Sequence, residues 1–476
     1  MTARDRPVSR RGFLGSCAVA AAAAPLAPAA PAGAGDLPEE TLRTQVCVIG
    51  GGSAGIGTAL AATRAGARVI LLERDAVLGG TSTTAWVHTW EPCSGADGIP
   101  RELYERMKAD PLAVVERDYA KGSPRVGGRP LPFEPRALIR VAGEALAAGG
   151  RCRVLYDTTF YRARVRGEGI EAVEAHFHGK RLLVRADVFV DCTADGDVCV
   201  SAGCASRLGE DPRSLYNEPS APVRARARLN ACTLVYRVTD TGVRQKPYLP
   251  PGVAEGLCPR PVCVRVLPNG DHLMNVVDML NGNALLHERY GELMRQAHRR
   301  LAEHWHWLQR LRGGSSPWNR LAGPKGYATW TLAGVAPRLG IRETRRIVGE
   351  AVLTEHDCLA GLAGQKHKDI IAVTDHAVDI HGAGHKLYEM PHGPYGIPYR
   401  CLLPKGPGNL MIASRAGSFS HIAASSCRLS RTMMTLGQAA GTAAGLCAGK
   451  RISPRAVDVD ELRAALRAGH VPLSAG

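Results

Sequence analysis

A glycine-rich turn is the feature of this sequence with the clearest chemistry. Gly50–Gly55 has the spacing GxGxxG, follows the apolar run Gln45–Ile49 and precedes a segment with Ala and Leu at helical spacing. Glycines in such a turn allow a tight bend and close backbone approach to a pyrophosphate, which the positive end of the helix dipole stabilises. Glu73 ends the next apolar run, where an acid accepts hydrogen bonds from ribose and disfavours a 2′-phosphate. The pattern predicts a dinucleotide site.

A second small-residue loop favours FAD over NAD as that dinucleotide. Gly79–Thr83 reads Gly-Gly-Thr-Ser-Thr and comes shortly after Glu73. Its backbone and hydroxyl donors suit a phosphate and a sugar-alcohol chain, and NAD domains do not need it there. Because no second GxGxxG unit follows, we expect no bound nicotinamide cofactor and an electron acceptor such as a quinone, a cytochrome or oxygen.

Two segments resemble the glutathione-reductase-type FAD-binding fold. They are residues 46–83 and Val190–Asp197, the latter containing Thr193-Ala194-Asp195-Gly196-Asp197. In that fold a turn of this kind closes over the cofactor, so the resemblance implies that Asp195 and Asp197 lie near the flavin phosphates or the ribityl chain. Ala194 departs from the glycine usual at its position.

The last third of the chain carries a series of ordered motifs, from Arg342–Gly349 to Gly437–Ala444. In this it is similar to the bacterial FAD-dependent oxidoreductase family, which is often found in secreted or sugar-degrading contexts. The small residues of its final motif let a helix approach the flavin, where its N-terminus stabilises the anionic reduced ring. Simple helix packing is the alternative for these residues. The motifs that carry the likeness are Arg342–Gly349, Val378–His381, Tyr395–Arg400, Asn409-Leu410, Arg415–His421, Arg428 and Gly437–Ala444.

These patterns give two sets of candidate residues. The cofactor set is Gly50, Gly52, Ser53, Ala54, Gly55, Glu73, Arg74, Gly80, Thr81, Ser82, Asp195, Asp197, Arg415, Gly437, Gln438, Ala439 and Ala440. The catalytic set is His381, His421, Arg415, Arg428, Tyr395 and Arg345.

The catalytic candidates have side chains that suit hydride transfer to a flavin. A base must take the proton from an alcohol or amine, which suits histidine, and arginine suits an anionic substrate or developing charge. Structural roles stay open for each histidine, and Arg345 has Glu343 and Glu350 as alternative ion-pair partners. His88 is a further candidate, for covalent attachment of the flavin.

The elements that must position these residues alternate between strands and helices. The predicted fold class is α/β: a Rossmann-like FAD-binding domain, with a parallel sheet and a β-meander, and an inserted α+β cap domain for the substrate. The expected helices are 56–65, 134–149, about 284–312 and about 430–448. The expected strands include 45–49, 68–73, 153–156, a meander over 161–186, 188–191, 233–237 and 409–413.

The predicted domains follow from where these patterns change. They are an export signal at 1–34, the FAD-binding domain at 43–84, 133–205 and 405–450, the cap at 85–132 and 206–404, and a C-terminal helix and tail at 451–476.

The first 34 residues have the order of an export signal. Ser9-Arg10-Arg11-Gly12-Phe13-Leu14 precedes an Ala-rich stretch that ends in small residues, which resembles a bacterial twin-arginine signal. That resemblance implies export of the folded, cofactor-loaded protein to the periplasm or medium. No other stretch of about 20 apolar residues occurs, so no membrane span is predicted in the mature chain.

Composition narrows the function classes further. The chain has 476 residues, 45% of them hydrophobic, a formal net charge of +16 and 14 cysteines. Aromatic residues make up only 5% and no basic run is interleaved with them, so nucleic-acid binding is not predicted. The positive charge fits anionic ligands or simply an Arg-rich proteome. Cysteine and histidine spacing predicts no metal site, and a disulfide between Cys258 and Cys263 stays open.

Together the patterns predict an exported FAD-dependent oxidoreductase. It would transfer a hydride between flavin and a small organic substrate of the sugar-derived alcohol or carboxylic acid class. Two alternatives stay open: a redox-neutral flavin-dependent lyase or isomerase, and a protein that binds FAD without catalysis.

Overall fold

A computed structural model describes residues 38–124, 128–255, 262–311, 320–382 and 386–474. Its first elements are β1 (Glu39–Arg43), β2 (Val46–Ile49), α1 (Ser53–Arg64) and β3 (Val69–Leu72). Every residue of β2 and β3 is buried, as expected for parallel strands covered on both faces. Helix α1 starts directly after the glycine turn, which confirms the predicted strand, turn, helix and strand unit. The N-terminal signal predicted at 1–34 lies outside the described residues.

The segment after β3 packs around α1 before the chain re-enters the sheet. Trp90, Leu103 and Phe133 share one hydrophobic core with α1. Much of the range 85–132 therefore packs within the nucleotide-binding domain, although we predicted it as part of the cap. The elements are β4 (Thr89–Trp90), α2 (Ile99–Met107), β5 (Leu131–Pro132), α3 (Pro135–Ala147) and β6 (Cys152–Leu155).

A β-meander follows, as the sequence predicted. Its antiparallel strands join β1, which pairs parallel to the last of them, in a four-stranded sheet. The side chains between this sheet and the parallel sheet form a second apolar cluster that includes Ile70, Val173 and Phe189. The elements are β7 (Thr158–Arg166), β8 (Gly169–Phe177), β9 (Lys180–Arg185), β10 (Val188–Asp191) and α4 (Asp197–Ser201).

The cap has a hydrophobic core of its own. An antiparallel sheet with the strand order β13-β14-β12-β15 packs against helix α6, and Tyr236, Trp305 and Tyr327 are buried in that core. The elements of this region are β11 (Ser206–Arg207), α5 (Arg213–Tyr216), β12 (Tyr236–Asp240), β13 (Val262–Val266), β14 (His272–Val276), α6 (Tyr290–Arg310), β15 (Trp330–Val335) and β16 (Arg346–Ile347).

The chain then returns to the first domain, earlier than the predicted boundary at 404. Leu353, Ile371 and Tyr399 are buried in the same core as α1. No helix among the described residues has the length and apolar character to cross a membrane. The remaining elements are α7 (Glu355–Gly364), β17 (Ile370–Thr374), β18 (Val378–Ile380), β19 (Lys386–Tyr388), β20 (Tyr395–Pro398), β21 (Leu410–Ile412), α8 (His421–Cys427), α9 (Ser430–Lys450) and α10 (Val459–Ala468).

The finished parallel sheet has the strand order β21-β10-β2-β3-β6, which is Rossmann-like and confirms the predicted fold class. Helix α9 lies against α1 at very short range because both helices present glycines to each other. A Cβ atom added at Gly437 would lie 2.0 Å from the carbonyl oxygen of Ala54, and one at Gly441 would lie 2.1 Å from that of Thr58. Neither position can accept a side chain without separating the helices.

The α1–α9 contact gives a stability prediction. We expect Gly441→Ala to lower the free energy of unfolding by about 1–3 kcal/mol, the usual cost of overpacking a tight interface. Gly449→Ala in the same helix is the matched control, since its added Cβ would meet no atom within 4 Å. The control should be neutral or stabilising by about 0.4–1 kcal/mol. Thermal melting followed by circular dichroism compares the two variants, and equal melting temperatures would contradict the packing account.

Candidate active site

The glycine turn is shaped by contacts that glycine alone permits. Gly50 has φ +100°, and a Cβ there would lie 2.6 Å from the carbonyl oxygen of Cys192. A Cβ at Gly55 would lie 1.8 Å from the carbonyl oxygen of Gly50. Gly52 differs, because a Cβ there would meet nothing within 4 Å. The first and third glycines of the motif therefore serve the fold, while the second leaves open space at the N-terminus of α1.

That open space belongs to a large cavity between the two domains. The cavity has a volume of about 1150 Å³, whereas ligand pockets are typically about 300–1,000 Å³. Its walls include Gly50, Gly52, Ser53 and Ala54 at the start of α1, and also His381. This volume accommodates a dinucleotide whose phosphates lie at α1, and a small molecule as well.

Glu73 braces the turn from within the cavity wall. Its two carboxylate oxygens accept hydrogen bonds from the backbone N–H groups of Gly51 at 2.6 Å and Asp75 at 2.8 Å. Burial raises the pKa of this carboxyl, and the two backbone donors oppose the rise. Glu73 and Arg74 both line the cavity, as their predicted contact with the cofactor requires.

The small-residue loop after Glu73 divides its residues between two tasks. Gly80 and Thr81 line the cavity. Ser82 is buried beside them, and its hydroxyl donates to the hydroxyl of Ser430 at 3.1 Å, at the start of α9. Two of the three predicted cofactor contacts in this loop, Gly80 and Thr81, are therefore available to a cofactor. The third, Ser82, binds the start of α9 instead.

Two aspartates and two arginines from the predicted sets meet in one cluster on the cavity wall. Arg415 donates to Asp195 Oδ1 at 2.9 Å, and the Thr344 hydroxyl donates to the same atom at 2.6 Å. Arg345 pairs with Asp197 and donates from Nε to the carbonyl oxygen of Asp195 at 2.9 Å. Burial alone raises the pKa of Asp195, but Arg415 and Thr344 hold it below its usual range.

His381 lines the cavity and is oriented by an acid. Its Nε2 atom lies 2.6 Å from Asp379 Oδ2. A carboxylate only accepts, so Nε2 donates and the neutral ring has its lone pair on Nδ1, which is buried and lies 3.9 Å from Asp278 Oδ1. Burial lowers the pKa of His381 to about 4, an effect that Asp379 opposes and that the charges of Arg342 and Arg428 reinforce. The imidazole is therefore neutral at pH 7.

Arg428 and Arg342 lie beside His381. Arg428 donates to the carbonyl oxygen of Asp379 at 3.1 Å, and Arg342 donates to that of Ala231 at 2.6 Å. Burial, together with the charge of Arg342, lowers the pKa of Arg428 to about 10. Both guanidinium groups line the cavity, so cationic groups flank a neutral base.

Two predicted catalytic residues lie outside this cavity, which corrects the prediction. His421 is 2% exposed, and its Nδ1 atom lies 2.8 Å from Glu343 Oε1 within a buried network that includes Arg346. Tyr395 is 0% exposed, and its hydroxyl lies 2.6 Å from that of Ser426. Both side chains are buried away from the cavity lining, so they serve the core.

The predicted flavin contact at Gly437, Gln438, Ala439 and Ala440 is also corrected. These residues do not line the cavity, because the small residues pack against α1 and the side chain of Gln438 bonds to Ile99 N at 3.0 Å and to Gly469 O at 2.9 Å. The first turn of α9 reaches the cavity instead, through Ser430, Arg431 and Met433. The alternative of simple helix packing is the one observed.

Sequence reasoning missed Asp379 and Arg342 as site residues. Asp379 stands two positions before His381, and alternation along a strand places such residues on one side, so a signal was present. Arg338 was missed as well. It pairs with Asp75 across the domain boundary over a separation of 263 residues, and no local pattern predicts such a contact.

The other predicted features have mixed outcomes. His88 lines the cavity and contacts the carbonyl oxygen of Phe133 through Nδ1, and its covalent attachment to flavin stays a prediction. The cysteines that the structure describes are free thiols, and Cys258 lies outside the described residues. In the same part of the chain, no group of His, Cys, Asp or Glu side chains is arranged to hold a metal ion.

Several solved structures are similar to this chain at low identity. A geranylgeranyl bacteriochlorophyll reductase-like protein from Thermoplasma acidophilum has a TM-score of 0.44 and 11% identity, with 92% of this chain and 94% of that chain covered. A triple mutant of the flavin-dependent brominase Bmp2 has a TM-score of 0.45 and 12% identity, with 89% and 84% covered. The anhydrotetracycline hydroxylase OxyS from Streptomyces rimosus has a TM-score of 0.41 and 14% identity, with 90% and 66% covered.

Sequence families give the assignment. No curated protein matches this chain. The family model described as FAD dependent oxidoreductase matches residues 45–466, which include the glycine turn, the cap and the His381 region. The chain therefore belongs to the family of FAD-dependent oxidoreductases, and FAD is confirmed as the predicted cofactor.

Proposed function

We propose that this enzyme moves a pair of electrons between FAD and a small polar substrate of the alcohol or carboxylic acid class, with His381 as the proton acceptor. The observation that carries the proposal is the cavity that joins the glycine turn to the pair formed by His381 and Asp379. FAD supplies the two-electron chemistry when it is bound. The protein must then bind the substrate, exclude water and accept the proton that the substrate loses.

The fit of FAD rests on the donors that face the open space. The N-terminus of α1 offers backbone N–H groups to a pyrophosphate beside Gly52, and Glu73 faces the space expected for a ribose. Thr81 and Asp195 line the same wall further along. The meander followed by the Asp195 turn also supports a domain of the glutathione-reductase type, which we include in the proposal.

The proton has a defined destination in this arrangement. As the substrate is oxidised, its hydroxyl proton passes to the imidazole of His381, while Asp379 accepts the hydrogen bond from Nε2 and stabilises the imidazolium. In the absence of substrate the two arginines disfavour that imidazolium. An anion bound between them offsets their charge, so substrate binding raises the proton affinity of the base.

The cap closes the site through charged contacts with the FAD-binding domain. Arg237 of the cap donates to both carboxylate oxygens of Glu134, at 3.0 and 3.1 Å. Arg338 forms two hydrogen bonds with Asp75, close to Glu73. These bidentate pairs fix the cap over the cavity and limit the entry of water.

We also propose export through the twin-arginine route to the periplasm or medium, with a quinone, a cytochrome or oxygen as the electron acceptor. The motif Ser9–Leu14 and the absence of a second dinucleotide turn in the sequence support these assignments. Replacement of Arg10 and Arg11 by lysine should retain the protein in the cytoplasm, whereas unchanged export would exclude this route.

The open space at Gly52 allows cofactor binding to be tested separately from folding. We expect Gly52→Ala to weaken FAD binding at least about tenfold, or 1.4 kcal/mol, because the added methyl group occupies the phosphate approach. The apoprotein should melt as wild type does, since no protein atom lies within 4 Å of that methyl group. Fluorescence titration of apoprotein with FAD measures the affinity. Gly143→Ala, equally uncrowded but in α3, is the control, and equal FAD affinity in both variants would contradict the site.

Removal of the base tests the chemistry. We expect His381→Gln to slow substrate-driven anaerobic bleaching of the bound flavin by about 10²–10⁴-fold, the usual contribution of a positioned base. Substrates come from a screen of sugars, polyols and hydroxy acids. His298→Gln, exposed on α6, should bleach at the wild-type rate. Equal rates in both variants would exclude His381 as the base, and turnover without any bleaching would favour a redox-neutral reaction.

The lowered pKa of His381 predicts an unusual pH profile. The neutral base persists down to about pH 4, so the bimolecular rate constant for flavin reduction should be constant from neutral pH and fall as pH drops through about 4. The charged groups around His381 are Asp379, Asp278, Arg342 and Arg428. Stopped-flow measurement across pH 3–8 with a neutral polyol, which has no group that titrates in this range, locates the acid limb. A limb near 6.5, or one that survives in His381→Gln, would contradict the assignment.

A further inference from the structure

Most arginines on the cavity wall have a carboxylate partner. Arg415 pairs with Asp195 and Arg345 with Asp197 beside the expected flavin chain. Arg338 pairs with Asp75, and Arg265 of the cap pairs with Glu91 at 3.2 Å. A guanidinium paired in this way has its charge balanced within the protein and needs no ligand.

Among the described residues, Arg74 and Arg431 also line the cavity but have no carboxylate oxygen within 4.0 Å, and Arg431 donates to main-chain carbonyls. Arg342 and Arg428 differ from the paired residues in that no carboxylate in the described part of the chain hydrogen-bonds to them, and both lie beside His381. Arg342 donates to the carbonyl oxygen of Ala231, and no carboxylate oxygen among the described residues lies within 4.0 Å of its guanidinium nitrogens. Arg428 also donates to a carbonyl oxygen, and the carboxylate oxygen near it, Asp379 Oδ2, lies at 3.8 Å, beyond hydrogen-bond distance. The Nε atom of Arg428 is buried and has no hydrogen-bond partner among the described residues.

Two buried cations close together on a cavity wall are unfavourable without an anion. Burial lowers the pKa of both guanidinium groups, and the charge of Arg342 adds to the effect on Arg428. Asp379 and Asp278 offset part of the charge of Arg342, and Asp379 also accepts the hydrogen bond of His381. Burial is the main cause of the lowered pKa of His381, and the field of the two arginines adds to it against the effect of Asp379. A negative group at this point would meet two guanidinium groups that donate to main-chain carbonyls.

We infer that the substrate is a hydroxycarboxylate whose carboxylate is bound by Arg342 and Arg428. This inference rests on the proposed function and names the substrate class of the same site. Guanidinium groups suit the assignment because their planar donors match a carboxylate in geometry as well as charge. Of the two substrate classes in the proposed function, alcohols and carboxylic acids, this inference favours a substrate that carries a carboxylate.

The position of His381 limits the length of this substrate. His381 Nε2 and Arg428 approach the same atom, Asp379 Oδ2, at 2.6 and 3.8 Å. A carboxylate on Arg428 consequently lies within a few bond lengths of the imidazole. We therefore choose short anions for the test, with the hydroxyl on the carbon next to the carboxylate or one further along, as in 2- and 3-hydroxy acids.

The test compares each anion with a neutral molecule of the same skeleton. FAD-loaded protein is titrated by isothermal calorimetry with lactate and with propane-1,2-diol, and with 3-hydroxybutyrate and butane-1,3-diol. We expect each carboxylate to bind at least tenfold more tightly than its diol, and more weakly as salt is added. Arg342→Met and Arg428→Met should each lose at least tenfold in carboxylate affinity with the diol unaffected, while Arg428→Lys should retain part of it.

A matched arginine outside the cavity controls for general effects of charge. Arg463 in α10 also donates to a main-chain carbonyl, that of Lys368 at 2.6 Å, and Arg463→Met should leave carboxylate binding unchanged. Carboxylates that bind no more tightly than diols, or that bind Arg342→Met as well as wild type, would overturn the inference. The inference would also be overturned if both Met variants lost FAD affinity but kept their carboxylate affinity, since the arginines would then bind the flavin and not the substrate.

The inference and the proposed function fail in different ways. If carboxylates bind through the arginines but no hydroxy acid bleaches the flavin anaerobically, the electron-transfer proposal fails and the anion site stands. If neutral polyols bleach the flavin and carboxylates neither bind nor react, the anion site fails and the electron-transfer proposal stands.

Discussion

The structure depends on the close approach of backbones around helix α1. Gly50 lies against the Cys192 carbonyl at the end of β10, and Gly437 and Gly441 lie against the backbone of α1. These contacts hold the N-terminus of α1 at the mouth of the cavity, next to the turn that carries Asp195. A single added methyl group at any of them separates elements that must converge on one cofactor. Gly52 differs from these glycines because it faces open space. Its lack of a side chain therefore leaves room for a ligand and is not needed for packing.

Charge organises the other half of the site. Asp75 and Glu134 lie at the boundary of the FAD-binding domain, and each forms an ion pair with an arginine of the cap. Those pairs join the cap to the FAD-binding domain beside the cavity. Arg342 and Arg428, which hydrogen-bond to main-chain carbonyls, lie beside His381. The arrangement therefore explains both the low proton affinity of the resting base and its rise when an anion arrives, which links recognition of the substrate to its reaction.

The sequence predicted the parts of this site that depend on short-range patterns. The glycine turn, Glu73, the meander and helix α9 each carry a local period or motif, and all four are present. The predictions were wrong where one sequence pattern fits two structures. Small residues at Gly437–Ala440 allow close contact with a flavin or with another helix, and in the structure they pack on α1. His421 and Tyr395 were misassigned because residue type alone does not show which way a side chain points. The ion pair of Arg338 with Asp75 and the isolation of Arg342 arise from tertiary contacts that no local signal records.

The central claim is that FAD and a proton-accepting histidine share one cavity. A crystal structure of the FAD-loaded enzyme, soaked with a hydroxycarboxylate, tests it most directly. We expect density for the pyrophosphate at Gly52 and for the flavin ring in the same cavity as His381, with the bound anion between the ring and the two arginines. A ring separated from His381 by protein, or an anion bound elsewhere while the arginines contact solvent alone, would contradict it.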